Sequence, residues 1–276
     1  MSDAKPEGTS KLLVRTIVGA AYAVAIVGCL YVGVAATAVV VSVMGTLCAW
    51  ELLRLLRGSG RQPNEMIALV VTALYPLLPL APVRGGATLV TALLLIACAV
   101  WYIYVPRVSF TDVAMTVLVP VYCGFAFSAI TSIRYSTPGF EGFLLTFGVM
   151  GSIWLNDAMA YFVGSRFGSH KLAPRISPNK SFEGFWGGLV SCVLIWVLMS
   201  VLKVRGIKLI YAIPFGLLVG LAGVLGDLFE SRIKRGFAVK DSGSLLPGHG
   251  GMLDRSDALL FGCMTAYVLL RLGGIL

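Results

Sequence analysis

Charge is scarce in this chain. Only 13% of its 276 residues are Asp, Glu, Lys or Arg, about half the share carried by an ordinary soluble domain, which excludes a water-facing surface around most of the molecule. Histidine is nearly missing, with two residues. The six cysteines (Cys29, Cys48, Cys98, Cys123, Cys192 and Cys263) lie scattered through apolar runs without a C-x-x-C pair. A Cys/His zinc site and a disulfide framework are therefore both excluded as organising devices. Acidic residues are also few, 13 against 22 Lys and Arg, for a net charge of +9. In a soluble protein that excess points to nucleic acid. Here the basic residues sit mostly between apolar runs, where they set topology and meet anionic headgroups, so membrane lipids are the expected partners and nucleic acid is not.

What the chain has is apolar length: 58% of it is hydrophobic. The apolar residues come in runs near 20, the length that crosses a hydrocarbon core of about 30 Å. They predict spans at roughly 12–32, 34–54, 66–83, 86–106, 112–133, 143–165, 184–202, 209–230 and 256–274. The expected fold class is all-α, a polytopic integral membrane protein of about nine transmembrane helices. Residues 1–10 are polar and read as a disordered cytoplasmic N-terminus, 11–140 as scaffold helices, and 141–276 as catalytic helices and loops of the same membrane domain. The first two spans form one stretch too long for a single crossing, and Gly33 is the expected break. Lys11 and Arg15 ahead of an apolar run imitate a signal peptide, with Ala36-Thr37-Ala38 as its cleavage site. The run continues into Val39-Val40-Val41 and further spans follow, so a retained first helix is expected.

Basic residues orient the spans, because the cytoplasmic side holds their excess. Of the 22 Lys and Arg, only Arg84, Arg134, Lys203, Arg205, Lys208 and Arg271 fall on one side of the nine-span scheme. The other side holds the rest, including the polar segments 166–183 and 231–255, which places both in the nucleotide-containing compartment. The expected location is the cell membrane, with the active site facing the cytoplasm.

Those two segments carry the chemistry. Asp227, Glu230, Ser231 and Lys234 fall at i, i+3, i+4 and i+7 and share one helix face. Asp254 and Asp257, three apart, share another if a helix begins near Asp254. Carboxylate oxygens suit magnesium, which shares its coordination with substrate phosphates and water; Asp227 and Asp254 are the first candidate ligands, with Asp257 behind them. The alternative is that Asp254 and Asp257 are helix-start residues favoured by the dipole. Lys234, Arg235, Lys240 and Arg255 surround these acids as phosphate partners, or as an ordinary positive flank. Gly248, Gly250 and Gly251 bracket His249 and permit close backbone approach to a phosphate.

A second constellation precedes it. Asn156 and Asp157 lie inside an apolar helix, where an ionisable group costs several kcal/mol on common insertion scales, on the order of 3 kcal/mol at the centre, and is a functional candidate by default; the alternative is an interhelical hydrogen bond. Asp157 shares a face with Tyr161, Gly164 and Gly168. In the proline-broken loop that follows, Ser177, Lys180, Ser181 and Glu183 form a candidate nucleotide contact, with Lys180 the phosphate partner and Glu183 also able to cap the next helix.

These residues resemble the phosphatidate cytidylyltransferase, or CDP-diacylglycerol synthase, family. Ser231 to Asp257 looks like the family signature: Ser-x-apolar-Lys-Arg, four residues, Lys240-Asp241, then a turn into His249-Gly-Gly-apolar-x-Asp-Arg-x-Asp. Ser177-Pro-Asn-Lys-Ser-Phe-Glu-Gly184 and the Asn156-Asp157 helix resemble two further family segments, with departures at Asn179 and Ser256. The resemblance implies CTP plus phosphatidate giving CDP-diacylglycerol and pyrophosphate, with magnesium required, potassium assisting and a homodimer. It implies Asp227, Lys234, Asp254, Arg255 and Asp257 as the catalytic set, with metal on Asp227, Asp254 and Asp257. Asn156, Asp157, Ser177, Lys180, Ser181, Ser231, Arg235, Lys240, Asp241, His249, Gly250 and Gly251 are the implied substrate contacts. Two competing readings are a CTP-dependent polyprenol or phytol kinase, which would release CDP, and an ion-coupled transporter using Asp157 and Asp227. No inverted repeat supports the latter.

Overall fold

A computed structural model describes residues 7–81, 83–246 and 250–276, with side chains from Ile17 onward. The described residues form a nearly all-helical molecule. α1 (Glu7–Val32) and α2 (Val34–Gly58) are separated by Gly33, whose φ of 145° breaks the apolar stretch where expected. α1 starts at Glu7, directly after Pro6, so residues 7–10 belong to the first helix and not to a disordered terminus. α3 (Glu65–Leu74) tightens into a 3-10 turn over Tyr75–Leu80, a stretch containing Pro76 and Pro79. α4 (Gly86–Tyr104) follows. α5 (Phe110–Pro120) starts in a reciprocal cap between Ser109 and Asp112 and runs through a π turn at Val121–Phe125 into α6 (Ala126–Tyr135). α7 (Gly139–Phe167), α8 (Phe182–Val201), α9 (Leu209–Gly236) and α10 (Asp257–Leu272) complete the order.

Between α7 and α8 the chain forms an antiparallel hairpin, β1 (Lys171–Ala173) with β2 (Ser177–Ser181), registered Lys171 to Ser181 and Ala173 to Ser177. The all-α expectation is corrected there. Pro174 sits in the turn and Pro178 in a strand with one unpaired edge, a position where a missing N–H is tolerated.

Among the described residues, six helices are long and apolar enough to cross a membrane: Val34–Gly58, Gly86–Tyr104, Phe110–Tyr135, Gly139–Phe167, Phe182–Val201 and Leu209–Gly236. Ile17–Val32 and Glu65–Leu80 are shorter apolar helices, and α10 has 16 residues. The C-terminal four helices pack as one group, with α8 along both α7 and α9, and α10 along α9. α10 approaches α9 at Gly226, where a Cβ would collide with the Asp257 carbonyl oxygen, so only glycine lets Asp257 sit beside Asp227.

Candidate active site

The last turns of α9 present the expected polar face. Ser231 Oγ donates to Asp227 Oδ1 at 3.3 Å, and Lys234 Nζ lies 2.5 Å from Glu230 Oε2, each pair one helical turn apart. Lys234 Nζ also donates to Asp254 Oδ1 at 2.6 Å. Glu230 is fully buried, so Lys234 is a largely buried cation clamped between two carboxylates from different segments, an arrangement in which each charge requires the others.

Asp254 does not lie on α10. It sits in a 3-10 turn, Leu253–Arg255, and α10 begins at Asp257; the expected stacking of Asp254 over Asp257 on one helix is corrected. The Asp254 carboxylate instead closes its own loop. Its Oδ2 accepts from the N–H of Gly251 (2.7 Å), the N–H of Ser242 (2.9 Å) and Ser242 Oγ (3.0 Å). Burial opposes ionisation of Asp254, but the Lys234 hydrogen bond and these backbone donors outweigh it and hold the carboxyl below the ordinary range.

The same loop is anchored from α2. Glu51, 1% exposed, accepts from the N–H groups of Met252 and Leu253 and from Ser242 Oγ, all at 2.9 Å. A Cβ on Gly251 would collide with Glu51 Oε2 and Ser242 Oγ. Sequence reasoning missed Glu51; its only signal was a carboxylate among apolar residues near the end of a span. It also left Glu230 out of the candidate set, although the i, i+4 spacing to Lys234 was visible.

α7 and the hairpin approach from the other side. Lys180 Nζ is 2.5 Å from Asp227 Oδ2, tying β2 to α9. Ser181 caps α8 through the N–H of Gly184 at 3.2 Å. Glu183, in the first turn of α8, accepts from its own N–H as well as from the Ser169 N–H (3.1 Å) and is paired with His170 Nδ1 (2.7 Å). Arg235 is exposed and donates to the backbone carbonyls of Ile176 (3.3 Å) and Val239 (2.9 Å), so it ties the hairpin to the end of α9.

Two cavities meet at Asp157. The first, about 540 Å³, is lined by Asp157, Tyr161, Gly164, Gly168, Lys171, Lys180, Ser181 and Asp227 among others. The second, about 420 Å³, lies between Val18, Gly19, Tyr22 and Ala23 of α1, Trp154 and Asp157 of α7, and Leu246, Asp254, Arg255 and Asp257. Of the sequence-selected residues, the cavities therefore collect Asp157, Lys180, Ser181, Asp227, Asp254, Arg255 and Asp257. Asn156 lines neither. It is fully buried where Gly188 and Gly220 approach it from α8 and α9, and its amide has no hydrogen-bond partner among the described residues, so the interhelical bond is not seen either. Ser177, at the start of β2, and the exposed Lys240 and Asp241 also lie outside the cavity linings, as do Gly250 and Gly251. His249 and Gly248 fall outside the described residues.

No group of three His, Cys, Asp or Glu side chains among the described residues is arranged to hold a metal unaided. Magnesium does not require one: one or two carboxylates plus substrate phosphates and water suffice. Asp227 and Asp257, brought together at Gly226, fit that sparser donor set. Asp254, with Lys234 and two backbone N–H groups on its oxygens and the Ser242 hydroxyl shared with Glu51, is better suited to holding the loop.

Residues 13–273 match the cytidylyltransferase family. The chain belongs to that family. Among similar cytidylyltransferases, the phosphatidate cytidylyltransferase of Bacillus subtilis (strain 168) is 33% identical over 264 residues, 94% of this chain and 97% of its own length. That of Staphylococcus saprophyticus is 41% identical over 155 residues, 56% of this chain and 58% of its own. That of Thermotoga maritima is 39% identical over 172 residues, 60% and 62% respectively. A cytidylyltransferase must hold a nucleotide triphosphate against an acceptor, and a lysine-bearing cavity meeting a second cavity at a cluster of carboxylates suits that task.

Proposed function

We propose that the chain transfers the cytidylyl group of CTP to phosphatidate, giving CDP-diacylglycerol and pyrophosphate for phospholipid synthesis. The observation that carries this reading is the meeting of two unlike cavities at Asp157, beside Asp227 and Asp257, in a chain that matches the cytidylyltransferase family over nearly its whole length. One cavity offers Lys171 and Lys180 to a triphosphate. The other has an apolar wall from α1 and an arginine near the carboxylates.

A phosphatidate oxygen attacks the α-phosphorus of CTP. A new P–O–P bond forms, the bond from the α-phosphorus to the bridging oxygen breaks, and its electron pair leaves with pyrophosphate. No protein nucleophile is needed. Lys180 exchanges its Asp227 partner for phosphate oxygens and, with Lys171, offsets the charge that builds on pyrophosphate; one well-placed donor of this kind is worth roughly a hundredfold or more in rate. Lys234 keeps the Asp254 loop in place and Arg255 orients the acceptor phosphate. Magnesium, held by Asp227 and Asp257 together with the CTP phosphates, would supply neutralisation of the triphosphate.

The topology we propose is nine crossings, with the shorter α1, α3 and α10 segments spanning alongside the six long helices. The hairpin and the 237–256 loop then face the cytoplasm of a cell membrane, where CTP is available.

The test is incubation of the purified, detergent-solubilised protein with phosphatidate, magnesium and α-labelled CTP. Label entering the lipid phase with equimolar pyrophosphate is expected, with neither product after chelation, and Asp227→Asn should raise the magnesium needed for half-maximal rate at least tenfold. Release of CDP in place of pyrophosphate would mean a kinase, and absence of labelled lipid from a folded preparation would overturn the reading.

A further inference from the structure

The two cavities that meet at Asp157 differ in chemistry, and the difference assigns them to different substrates. The one walled by α8 and the hairpin is lined by Lys171, Lys180 and Ser181, groups that hold phosphates and polar rings. The other is walled on one side by Val18, Gly19 and Ala23 of α1 and floored by Arg255 and Asp257. An apolar wall leading to a cation at a carboxylate cluster fits an amphiphile with an acyl chain and a phosphate monoester. A nucleotide triphosphate finds its lysines in the other cavity, at Lys171 and Lys180.

An independent observation points the same way. Tyr22 lines this cavity; its hydroxyl is shielded from solvent and stands next to that of Ser256, and neither makes a hydrogen bond of ordinary length among the described residues. A buried phenol hydroxyl normally finds a partner. The carbonyl and phosphate oxygens of a glycerolipid are acceptors that would satisfy it. The apolar cavity of about 400 Å³ around Leu56, Met115, Phe229 and Arg232 is lined by none of the carboxylates.

We infer that the cavity between α1 and the residues Leu246, Asp254, Arg255 and Asp257 is the phosphatidate seat, with the acyl chain along Val18 to Ala23, the glycerol ester region at Tyr22 and the phosphate between Arg255 and Asp157. The inference rests on the phosphatidate reading above and adds to it that the first helix, outside the signature segments, forms half of the acceptor site. The phosphatidate oxygen and the α-phosphorus of CTP then arrive from opposite sides of Asp157.

Two measurements decide it. In kinetics on the full-length protein, Ala23→Trp, which fills the seat from the α1 wall, should raise the KM for phosphatidate at least tenfold with the KM for CTP unchanged. Tyr22→Phe should raise it roughly three- to tenfold, the value of one hydrogen bond. Gly28→Trp, exposed on the same helix with nothing near its Cβ position, should leave both constants alone. The second measurement uses wild-type protein without CTP and a phosphatidate carrying a photoreactive group near the ester end of one acyl chain. Crosslinks within residues 17–24, displaced by unlabelled phosphatidate, support the seat whether or not product forms and whether or not Ala23→Trp folds. Crosslinks confined to other helices overturn it, as does an unchanged phosphatidate KM in both α1 variants of an active enzyme; the transferase reading would survive either result.

Discussion

Glu51 and Leu253 lie 202 residues apart in the chain, and the carboxylate of one accepts the backbone N–H of the other at 2.9 Å. With Met252 N–H and Ser242 Oγ as its other donors, Glu51 supports from α2 the loop whose far side carries Asp254. Ser242 has one hydroxyl proton and stands within bonding distance of both Glu51 Oε2 and Asp254 Oδ2. The position of Asp254 therefore depends on a residue from the opposite half of the chain.

Replacing Glu51 with alanine leaves two buried N–H groups without acceptors, at a cost of roughly 1–3 kcal/mol each. Glu51→Gln can satisfy only one of them. We expect both variants to lower kcat at least tenfold with little change in the KM for CTP, and Glu51→Ala to lower the thermal midpoint in detergent as well. Wild-type kcat in Glu51→Gln would show that the loop holds itself.

Lys234 is the cation between Glu230 and Asp254. Its removal leaves carboxylates without their counter-charge in a buried setting, where breaking one partner of a pair costs about 3–5 kcal/mol. Lys234→Met should therefore lose most of its folded yield, and adding Glu230→Gln should restore part of it. Thermal unfolding followed by tryptophan fluorescence reads both. Equal stability of the single and double variants would contradict the coupling.

Acid should act through Asp254. Its carboxyl is held below the ordinary range in the folded protein, so the unfolded chain takes up a proton first as pH falls. The stability contributed is complete above the unfolded value, about 3.9, and disappears as pH drops from there through the lower folded value. Wild type should keep its unfolding midpoint down to about pH 5 and lose it below about pH 4; Asp254→Asn should start lower and show a shallower acid limb. An identical acid limb in the two proteins would place the sensitive group elsewhere.

Orientation can be read by labelling across α7. In a background without native cysteines, Ser169→Cys next to the hairpin should react with an impermeant maleimide only after the cytoplasmic side is opened. Tyr135→Cys, exposed at the end of α6 just before the start of α7, should react in intact cells. The reverse pattern would invert the topology.

Much was legible in the sequence because it depends on short-range periodicity. Run length gave the helices, Gly33 the break between the first two, and the i, i+4 spacing the face that joins Asp227 to Ser231 and Glu230 to Lys234. The hairpin was not legible, because two prolines in eight residues read as a broken loop and strand pairing of this length leaves almost no pattern. Asp254 was misplaced for a related reason: its three-residue spacing to Asp257 marks a shared face only on a continuous helix, and the chain makes a 3-10 turn there.

The sequence by itself determined that this is a helical membrane protein and which segments are the candidates for its chemistry, because hydrophobic length and local spacing are properties of neighbouring residues. Only the tertiary structure decided that Glu51 of α2 holds the Asp254 loop, that Lys234 neutralises two carboxylates, and that α1 closes a second cavity against Asp157. Those are meetings between segments far apart in the chain, set by which helices pack together, and no local pattern encodes them.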